Sequence, residues 1–204
     1  MQTLKSEVRE RVLEAGEAVF AEAGYAGATM AGIASRAGIS TGNVYRYFPG
    51  KEELFDELFP PSFAAQFLAL VRKRVHSLTQ TPSLRTPDSG AEADGQELLR
   101  FWLDHRRKVV VLLSHAEGSR LASFRQQFVA LLVDATAADL RRVSGRPLSK
   151  PQRLVLTTLF ENTARMLVVI LGSDTSEADV ATAFAGFWSY QLAGLAGFKE
   201  WVIA

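Results

Sequence analysis

The feature that most constrains this chain is the segment of residues 29–51, in which two short helical patterns surround a glycine. Thr29 is placed to cap a helix over residues 30–37. Gly38 supplies a left-handed turn residue, and a second helix is predicted over residues 41–48. Two such helices form a helix-turn-helix (HTH), in which the second helix enters the major groove of DNA.

The polar residues of this segment are types that contact DNA. At a helix start, Thr29 can offer a phosphate its hydroxyl and backbone N–H groups. Asn43 can pair with adenine, Arg46 can bind guanine or phosphate, and Gly42 lets the backbone approach closely. The predicted DNA-binding residues are Thr29, Arg36, Thr41, Gly42, Asn43, Tyr45, Arg46, Tyr47 and Lys51.

Each of these assignments has a structural alternative. Arg36 fits an exposed surface position as well as it fits a phosphate contact. Tyr45 can pack its ring and expose only its hydroxyl, and Tyr47 fits a core position. For Phe48 we prefer the core.

Charge is distributed unevenly around the segment. Residues 7–22 hold five glutamates, whereas residues 23–51 hold three basic residues and no acid. A basic segment can meet phosphates if the acidic face of the preceding helix points away from it. The overall net charge of +1 favours no class of partner.

The remainder of the chain shows helical periodicity and no sustained alternation of period two. We therefore predict an all-α protein of eight to ten helices. The predicted helices cover residues 6–23, 96–116, 119–143 and 151–172, and a last helix starts at Ser176. Residues 79–95 are predicted to be a loop, and Pro60-Pro61 should kink or split the fourth helix.

Several residues at fixed spacing resemble the N-terminal domain of the tetracycline-repressor (TetR) family. The resemblance covers about residues 5–58 and is carried by Phe20-x-x-x-Gly24-Tyr25, Thr29-Met30, Ile33-Ala34, Ala37-Gly38-Ile39-Ser40, Gly42-x-Val44-Tyr45-x-Tyr47-Phe48 and Lys51-Glu52-x-Leu54. It implies an all-α homodimer that binds a palindromic double-stranded DNA operator, usually as a repressor. It also implies a divergent C-terminal domain that often binds a small-molecule effector.

On this basis we predict an HTH DNA-binding domain over residues 1–50, with the motif at about 29–48. Residues 51–204 would form a helical ligand-binding and dimerisation domain. The proline pair departs from the family, in which the fourth helix links the two domains without interruption.

A second motif competes for Ser40. The string Gly38-Ile39-Ser40-Thr41-Gly42 matches G-x-S-x-G, the nucleophile elbow of serine hydrolases, and His105 and His115 follow it. That elbow requires a preceding strand, whereas the residues before it are helical in pattern. We therefore expect Ser40 to cap a helix and the protein not to be an enzyme. A helical protein-interaction module is the other alternative.

The last two helices are expected to pair across a two-fold axis. The final helix carries no charge over residues 180–198, and a helix that is apolar all round is buried on several sides. A two-helix face repeated by symmetry makes a four-helix dimer interface. The predicted interface residues are Leu159, Met166, Ala181, Ala185, Trp188 and Leu192. One large monomeric core remains the alternative.

An effector pocket is predicted among bulky residues of the middle helices, although such a stripe is more often core. The candidates are Phe67, Phe101, Trp102, His105, Phe124, Phe128, Asn162 and Arg165. Residues 158–165 carry a polar stripe, in which Glu161 and Arg165 are spaced to pair.

No cofactor is predicted. With no cysteine and only three scattered histidines, a transition-metal site is not expected. The charged N-terminus has no apolar signal segment, so we expect a cytoplasmic protein without membrane attachment.

Overall fold

The computed structural model describes residues 2–81, 83–84 and 88–204, with side chains from Ser6 onward. All regular elements of these residues are helical, as predicted. The α-helices are α1 Gln2–Gly27, α2 Met30–Ala37, α3 Thr41–Val44, α4 Lys51–Leu58, α5 Pro61–Gln80, α6 Ser89–Asp104, α7 Arg106–Val110, α8 Phe124–Ser144, α9 Lys150–Leu171 and α10 Glu177–Ile203. A π-helical segment, Val111–His115, follows α7.

The described chain divides into two compact units. The N-terminal unit comprises the described residues up to Ala65 together with Arg107–Phe124. The C-terminal unit comprises Gln66–Arg106 and Arg125–Ala204. The chain therefore passes between the units at three points, one of them inside α5. The functional boundary predicted at residue 50 stays a prediction.

The first helix is longer than predicted. It begins at Gln2, so Ser6 lies within the helix and does not cap it. Gly24 does interrupt the helix, with φ 70° and ψ 167°, but helical residues resume as far as Gly27. Only glycine adopts such a conformation readily, which explains the kink at this position.

The proline pair splits the helix, as predicted. Helix α4 ends at Leu58, and α5 begins at Pro61. Proline is favoured at the first position of a helix because its missing N–H has no intrahelical partner there.

Part of the predicted loop over residues 79–95 is helical, which corrects the prediction. Helix α5 continues to Gln80, and α6 begins at Ser89; residues 82 and 85–87 lie outside the described residues. The side chain of Asp88 caps α6, because its Oδ1 accepts a hydrogen bond from the Ala91 N–H at 2.8 Å. The glycines of this stretch favoured a loop, but the cap and the burial of Ala91 outweigh them.

Two further helix boundaries differ from the prediction. The helix predicted over residues 96–116 is interrupted at His105, which has φ −128° and ψ 33°, and then continues as α7 and the π-helical segment. The helix predicted from residue 119 begins only at Phe124.

Helix α9 is apolar, yet much of its surface is exposed. Its mean hydropathy reaches 1.6 over an 18-residue window of which 39% is buried. By length and composition α9 could cross a membrane, but one such helix in the described residues is weak evidence, because buried core helices have the same composition. Its exposed apolar side chains are instead a candidate contact surface.

Candidate nucleic-acid interface and an apolar cavity

The first HTH helix, α2, has a defined cap at each end. At its start, Thr29 Oγ1 accepts a hydrogen bond from the Gly32 N–H at 3.0 Å. At its end, Gly38 is left-handed, with φ 66° and ψ 35°. The Ile39 N–H then bonds back to the Ala34 carbonyl at 3.1 Å, as in a Schellman cap. The predicted turn is therefore confirmed in geometry.

The second HTH helix, α3, is shorter than predicted. Regular helix covers Thr41–Val44, and a turn follows in which the Tyr47 N–H bonds to the Val44 carbonyl at 2.9 Å. Pro49 disfavours helical geometry in the residue before it, which helps to end the helix early.

Ser40 caps α3, as predicted. Its Oγ accepts a hydrogen bond from the Asn43 N–H at 3.3 Å. The element before it is α2, and no strand occurs in the described part of the chain. The strand–turn–helix context of a nucleophile elbow is therefore missing around this serine.

Helix α3 and the turn after it present polar side chains on one side and apolar ones on the other. Tyr45 is 51% exposed, Arg46 is exposed, and Asn43 is half-buried. Val44 and Phe48 are buried, which confirms the core position preferred for Phe48. The polar side can therefore meet a partner while the apolar side anchors the helix.

Gly42 lies in an open part of this surface. A Cβ atom built on it would have no neighbouring atom within 4 Å. The fold itself therefore does not require glycine at position 42. An outside partner that comes close to the backbone would require it.

Lys51 is engaged within the N-terminal unit. Its Nζ donates hydrogen bonds to the carbonyls of Tyr25 at 2.7 Å and Ala28 at 3.1 Å, and it lies 4.5 Å from the centre of the Tyr25 ring. Burial, with smaller contributions from Glu52 and Asp56, raises the pKa of Tyr25, so its hydroxyl stays protonated. Two of the three N–H donors of this ammonium group are used in these bonds, and the third can still bind a phosphate. A phosphate contact by Lys51 therefore stays a prediction.

Arg36 is exposed and forms an ion pair with Glu22 at 2.6 Å. One glutamate of α1 therefore lies against the HTH, although the charge pattern suggested that the acids point away. The other predicted DNA-binding residues are exposed (Thr29, Gly42) or half-buried (Thr41, Tyr47). All nine lie in the N-terminal unit, and their contacts with DNA stay predictions.

The C-terminal unit contains a cavity of about 80 Å³. Most of its lining is apolar and comes from α5, α6, α8, α9 and α10, including Trp102, Phe128, Trp188 and Leu192. Its polar lining includes Arg74 and Gln191, which the sequence analysis missed. Arg74 could have been found, because it lies three residues after Val71 on the apolar face of α5.

The predicted pocket residues do not all surround this cavity. Trp102 and Phe128 line it, whereas Phe67 and Phe101 pack against each other, with ring centres 5.7 Å apart. The ring of His105 packs against Phe101 at 4.9 Å. The aromatic stripe thus largely forms core packing, the alternative weighed above.

Three other predicted pocket residues lie elsewhere. Phe124 is buried in the N-terminal unit, and Asn162 and Arg165 are exposed on α9. Glu161 pairs with Arg125 at 2.8 Å. The spacing of four residues in the sequence had favoured Arg165 as the partner of Glu161. Ligand contacts by any of the eight residues stay predictions.

The predicted interface residues are also divided. Met166 and Ala185 are exposed, Leu159, Ala181 and Trp188 are half-buried, and Leu192 is buried at the cavity. The large exposed apolar side chains of α9 and α10 were not all named beforehand: they are Leu154, Val155, Met166, Val169, Tyr190, Trp201 and Ile203.

Residues 12–58 match the family model of the bacterial regulatory proteins of the tetR family. The chain is 41% identical over 51 residues to the HTH-type transcriptional regulator YhgD of Bacillus subtilis, a match that covers 25% of this chain and 27% of that one. It is 46% identical over 50 residues to the HTH-type transcriptional repressor KstR2 of Mycobacterium tuberculosis, covering 24% and 25% respectively. The matches thus span about a quarter of each curated relative.

Solved structures of regulators resemble the chain over most of its length. The fatty acid degradation regulator FadR of Bacillus halodurans has a TM-score of 0.48 and 17% identity, covering 91% of this chain and 98% of that one. NalD of Pseudomonas aeruginosa, a repressor of an efflux pump, has a TM-score of 0.46 and 20% identity, covering 93% and 95%. Residues 12–58 are therefore similar to the N-terminal domain of the tetR family of bacterial regulatory proteins, in sequence and in the geometry of the HTH.

Proposed function

We propose that the protein is a transcriptional regulator that binds double-stranded DNA through the α2–α3 HTH and represses its target genes. The observation that carries this proposal is the capped α2–turn–α3 unit, with Asn43 half-buried in α3 and Tyr45 and Arg46 exposed in the turn after it. Repression is proposed because KstR2 of Mycobacterium tuberculosis, to which 50 residues of this chain are 46% identical, is a transcriptional repressor.

The residues would divide their roles by position. Thr41, Gly42 and Asn43 open α3, so we assign them to base edges in the major groove. Tyr45, with its exposed hydroxyl, and Arg46 are assigned to phosphate or guanine. Thr29, Arg36, Tyr47 and Lys51 would hold the phosphate backbone.

We further propose a homodimer that binds a palindromic operator. The support is the exposed apolar surface of α9 and α10, where Val169 is 60% and Tyr190 is 74% exposed. Pairing of these helices with a second copy would cover that surface and make a four-helix interface. Half-sites would then lie about one helical turn apart, or slightly more.

Regulation would follow from a shift between two conformations. A ligand that prefers the state with wrongly spaced HTHs lowers the population that fits the operator. The cavity of the C-terminal unit is the candidate effector site. A cytoplasmic location follows from the proposed role.

The direct test is binding of the purified full-length protein to DNA upstream of its own gene and of neighbouring genes. Affinity should exceed that for unrelated DNA and should fall steeply as salt concentration rises. Equal, weak binding to all DNA would contradict the proposal.

Variants separate the two kinds of contact. Arg46→Ala and Asn43→Ala should each weaken specific binding by about 1–3 kcal/mol if they contact bases. Asn43→Ala should also change the preferred sequence. The control is Arg100→Ala, an exposed arginine on α6 of the C-terminal unit, which should leave DNA binding unchanged.

The same variants address the alternative function of a protein-interaction module. If a double variant, Asn43→Ala with Arg46→Ala, no longer binds the operator but cells keep full regulation, the C-terminal unit acts without DNA contact. Loss of regulation together with DNA binding supports the proposal.

A further inference from the structure

Two buried donors in the C-terminal unit lack an acceptor. In the described part of the chain, Arg74 Nε and Trp102 Nε1 are buried side-chain nitrogens without a hydrogen-bond partner. Arg74 is 94% and Trp102 99% buried, since their exposed fractions are 6% and 1%. An unsatisfied buried donor is costly, and more so on a charged group, so two of them require an explanation.

Both residues line the same cavity. It is the cavity of about 80 Å³ described above, whose remaining lining is mostly apolar. Both unpaired groups are N–H donors, and donors are satisfied by acceptor oxygens. The missing partner is therefore a group that brings acceptors into an otherwise apolar space.

Arg74 forms no direct ion pair within the described residues, although Asp94 and Glu92 act on its charge from nearby. No carboxylate of the described residues lies within ion-pair distance of its guanidinium, and the nearby Asp94 pairs with Lys73 at 3.0 Å. One guanidinium nitrogen, Nη1, donates to the Ala91 carbonyl. Burial lowers the pKa of Arg74 below its ordinary value, while the charges of Asp94 and Glu92 oppose that shift.

The other ionic groups at the cavity compensate each other. Asp139 pairs with Arg142 at 2.6 Å and with Lys199 at 3.5 Å. Asp139 and Lys199 therefore line the cavity with opposite charges, and Arg74 is the remaining ionic side chain of its lining. A carboxylate on a ligand would give Arg74 Nε the acceptor that it lacks, in a charge-assisted hydrogen bond.

Helix α6 makes room for the guanidinium. A Cβ atom at Gly95 would lie 3.0 Å from Arg74 Cζ and 3.3 Å from its Nε. Glycine inside a helix costs about 1 kcal/mol relative to alanine. Its presence here fits a site in which the guanidinium position matters more than helix stability.

We propose that this cavity binds a small carboxylate with an apolar body, whose oxygens accept hydrogen bonds from Arg74 Nε and Trp102 Nε1. A volume of about 80 Å³ is roughly half that of an engineered cavity that holds benzene, so the space takes the carboxylate and the first few carbons of a chain. Hexanoate is a suitable probe because its carboxylate and first carbons can occupy this space while the rest of its chain extends through the open side of the cavity. The role of this acid as an effector of DNA binding rests on the function proposed above. Its binding to the cavity does not depend on that function.

The test uses the full-length protein without DNA and three probes of equal chain length: hexanoate, hexan-1-ol and hexylamine. Calorimetry should show that hexanoate binds at least about tenfold more tightly than hexan-1-ol, because a hydrogen bond to a charged group is worth more than a neutral one. Hexylamine should not bind detectably. Equal affinity for acid and alcohol, or no binding of hexanoate, overturns the proposal; equal affinity would also indicate that water satisfies the donors.

Variants of Arg74 and Trp102 test whether these two side chains contact the acid. Arg74→Met should weaken hexanoate binding by about tenfold or more, and Trp102→Phe, which removes only the donor and part of the ring, by a few-fold. Both should change hexan-1-ol binding less than hexanoate binding. The matched control Arg72→Met, an exposed arginine on the same helix, should behave as wild type. Undiminished hexanoate binding by Arg74→Met overturns the proposal, and the wild-type probe series decides it if a variant fails to fold.

The outcomes separate this inference from the regulatory proposal. Selective binding of hexanoate by a protein that does not bind operator DNA supports the ligand class and contradicts the regulatory role. Operator binding without any preference for hexanoate supports the regulatory role and contradicts the proposed ligand class. When both hold, hexanoate should change operator affinity in wild type and not in Arg74→Met.

Discussion

Gly38 and Gly42 lie four residues apart, but the backbone requires glycine at only one of them. Gly38 has a φ of 66°, which side chains adopt only at a cost. Gly42 lies in α3 and has no positive φ. Both positions have open space for a methyl group. Alanine at each position therefore separates the needs of the fold from those of a partner.

For Gly38→Ala we expect a loss of stability of about 1–2 kcal/mol, the cost of holding alanine in the left-handed region. Urea unfolding of the full-length protein measures it. DNA binding by the folded fraction should be retained. A variant as stable as wild type would show that the turn tolerates a side chain.

For Gly42→Ala we expect stability to be unchanged or raised by up to about 1 kcal/mol, because alanine favours helix and nothing in the protein obstructs it. DNA affinity should nevertheless fall by roughly tenfold or more, comparable to the loss of one base contact. Unfolding and DNA titration on the same preparation test both parts. Unchanged DNA affinity would remove Gly42 from the proposed interface.

Local interactions of single residues could be predicted, whereas distant ones could not. The caps by Thr29 and Ser40 involve residues three positions away, so the sequence contains both partners. The bonds of Lys51 reach back 26 and 23 residues, and the pair of Arg36 with Glu22 spans 14. Such partners depend on how helices pack, which residue types alone do not determine.

Among the elements, α9 and α10 combine exposure with apolar character. On α9 the exposed apolar residues Leu154, Val155, Met166 and Val169 recur along the helix. Apolar groups left in water favour association, at about 25 cal/mol for each Å² removed from it. This surface is the structural basis of the proposed dimer.

Val169→Glu should therefore shift the protein from dimer to monomer at micromolar concentration, because it would bury a charge in the interface. Sedimentation velocity measures the change. The control is Val143→Glu near the end of α8, where valine is 45% exposed and belongs to neither helix. If the two variants have the same mass as wild type, the interface lies elsewhere.

The elements also show why some boundaries were predicted and others were not. The split at Pro60-Pro61 follows from proline chemistry, so the sequence predicted it. The start of α6 could not be predicted from the sequence. Residues 89–95 contain two glycines and become helical only with the Asp88 cap and the burial of Ala91. The cavity was missed for a related reason: the polar groups that distinguish it, Arg74 and Gln191, lie on separate helices.

At the scale of the whole molecule, the N-terminal unit is not a continuous stretch of sequence. Residues Arg107–Phe124 complete it, with Val109, Val111 and Leu113 buried. The polar contacts of this segment include His115 Nδ1, which lies 2.8 Å from the Ala21 carbonyl, and Arg120, which pairs with Asp56. The matched residues 12–58 thus fold together with a segment that follows them by some fifty residues.

A fragment ending at Ala65 should therefore fail to unfold cooperatively, because it lacks buried apolar side chains supplied by residues 107–124. Thermal unfolding followed by circular dichroism tests this, with the full-length protein as the reference. A sharp transition in the fragment would show that residues 2–65 fold alone.

The discontinuous N-terminal unit has a consequence for how such a protein can be recombined. A DNA-binding module that ended at a single junction could be exchanged between regulators by one crossover in the gene. Here a crossover after Ala65 would separate α1 from the buried side chains of residues 107–124. A new DNA specificity is therefore more readily acquired by changing the few exposed residues around α3 than by replacing the module.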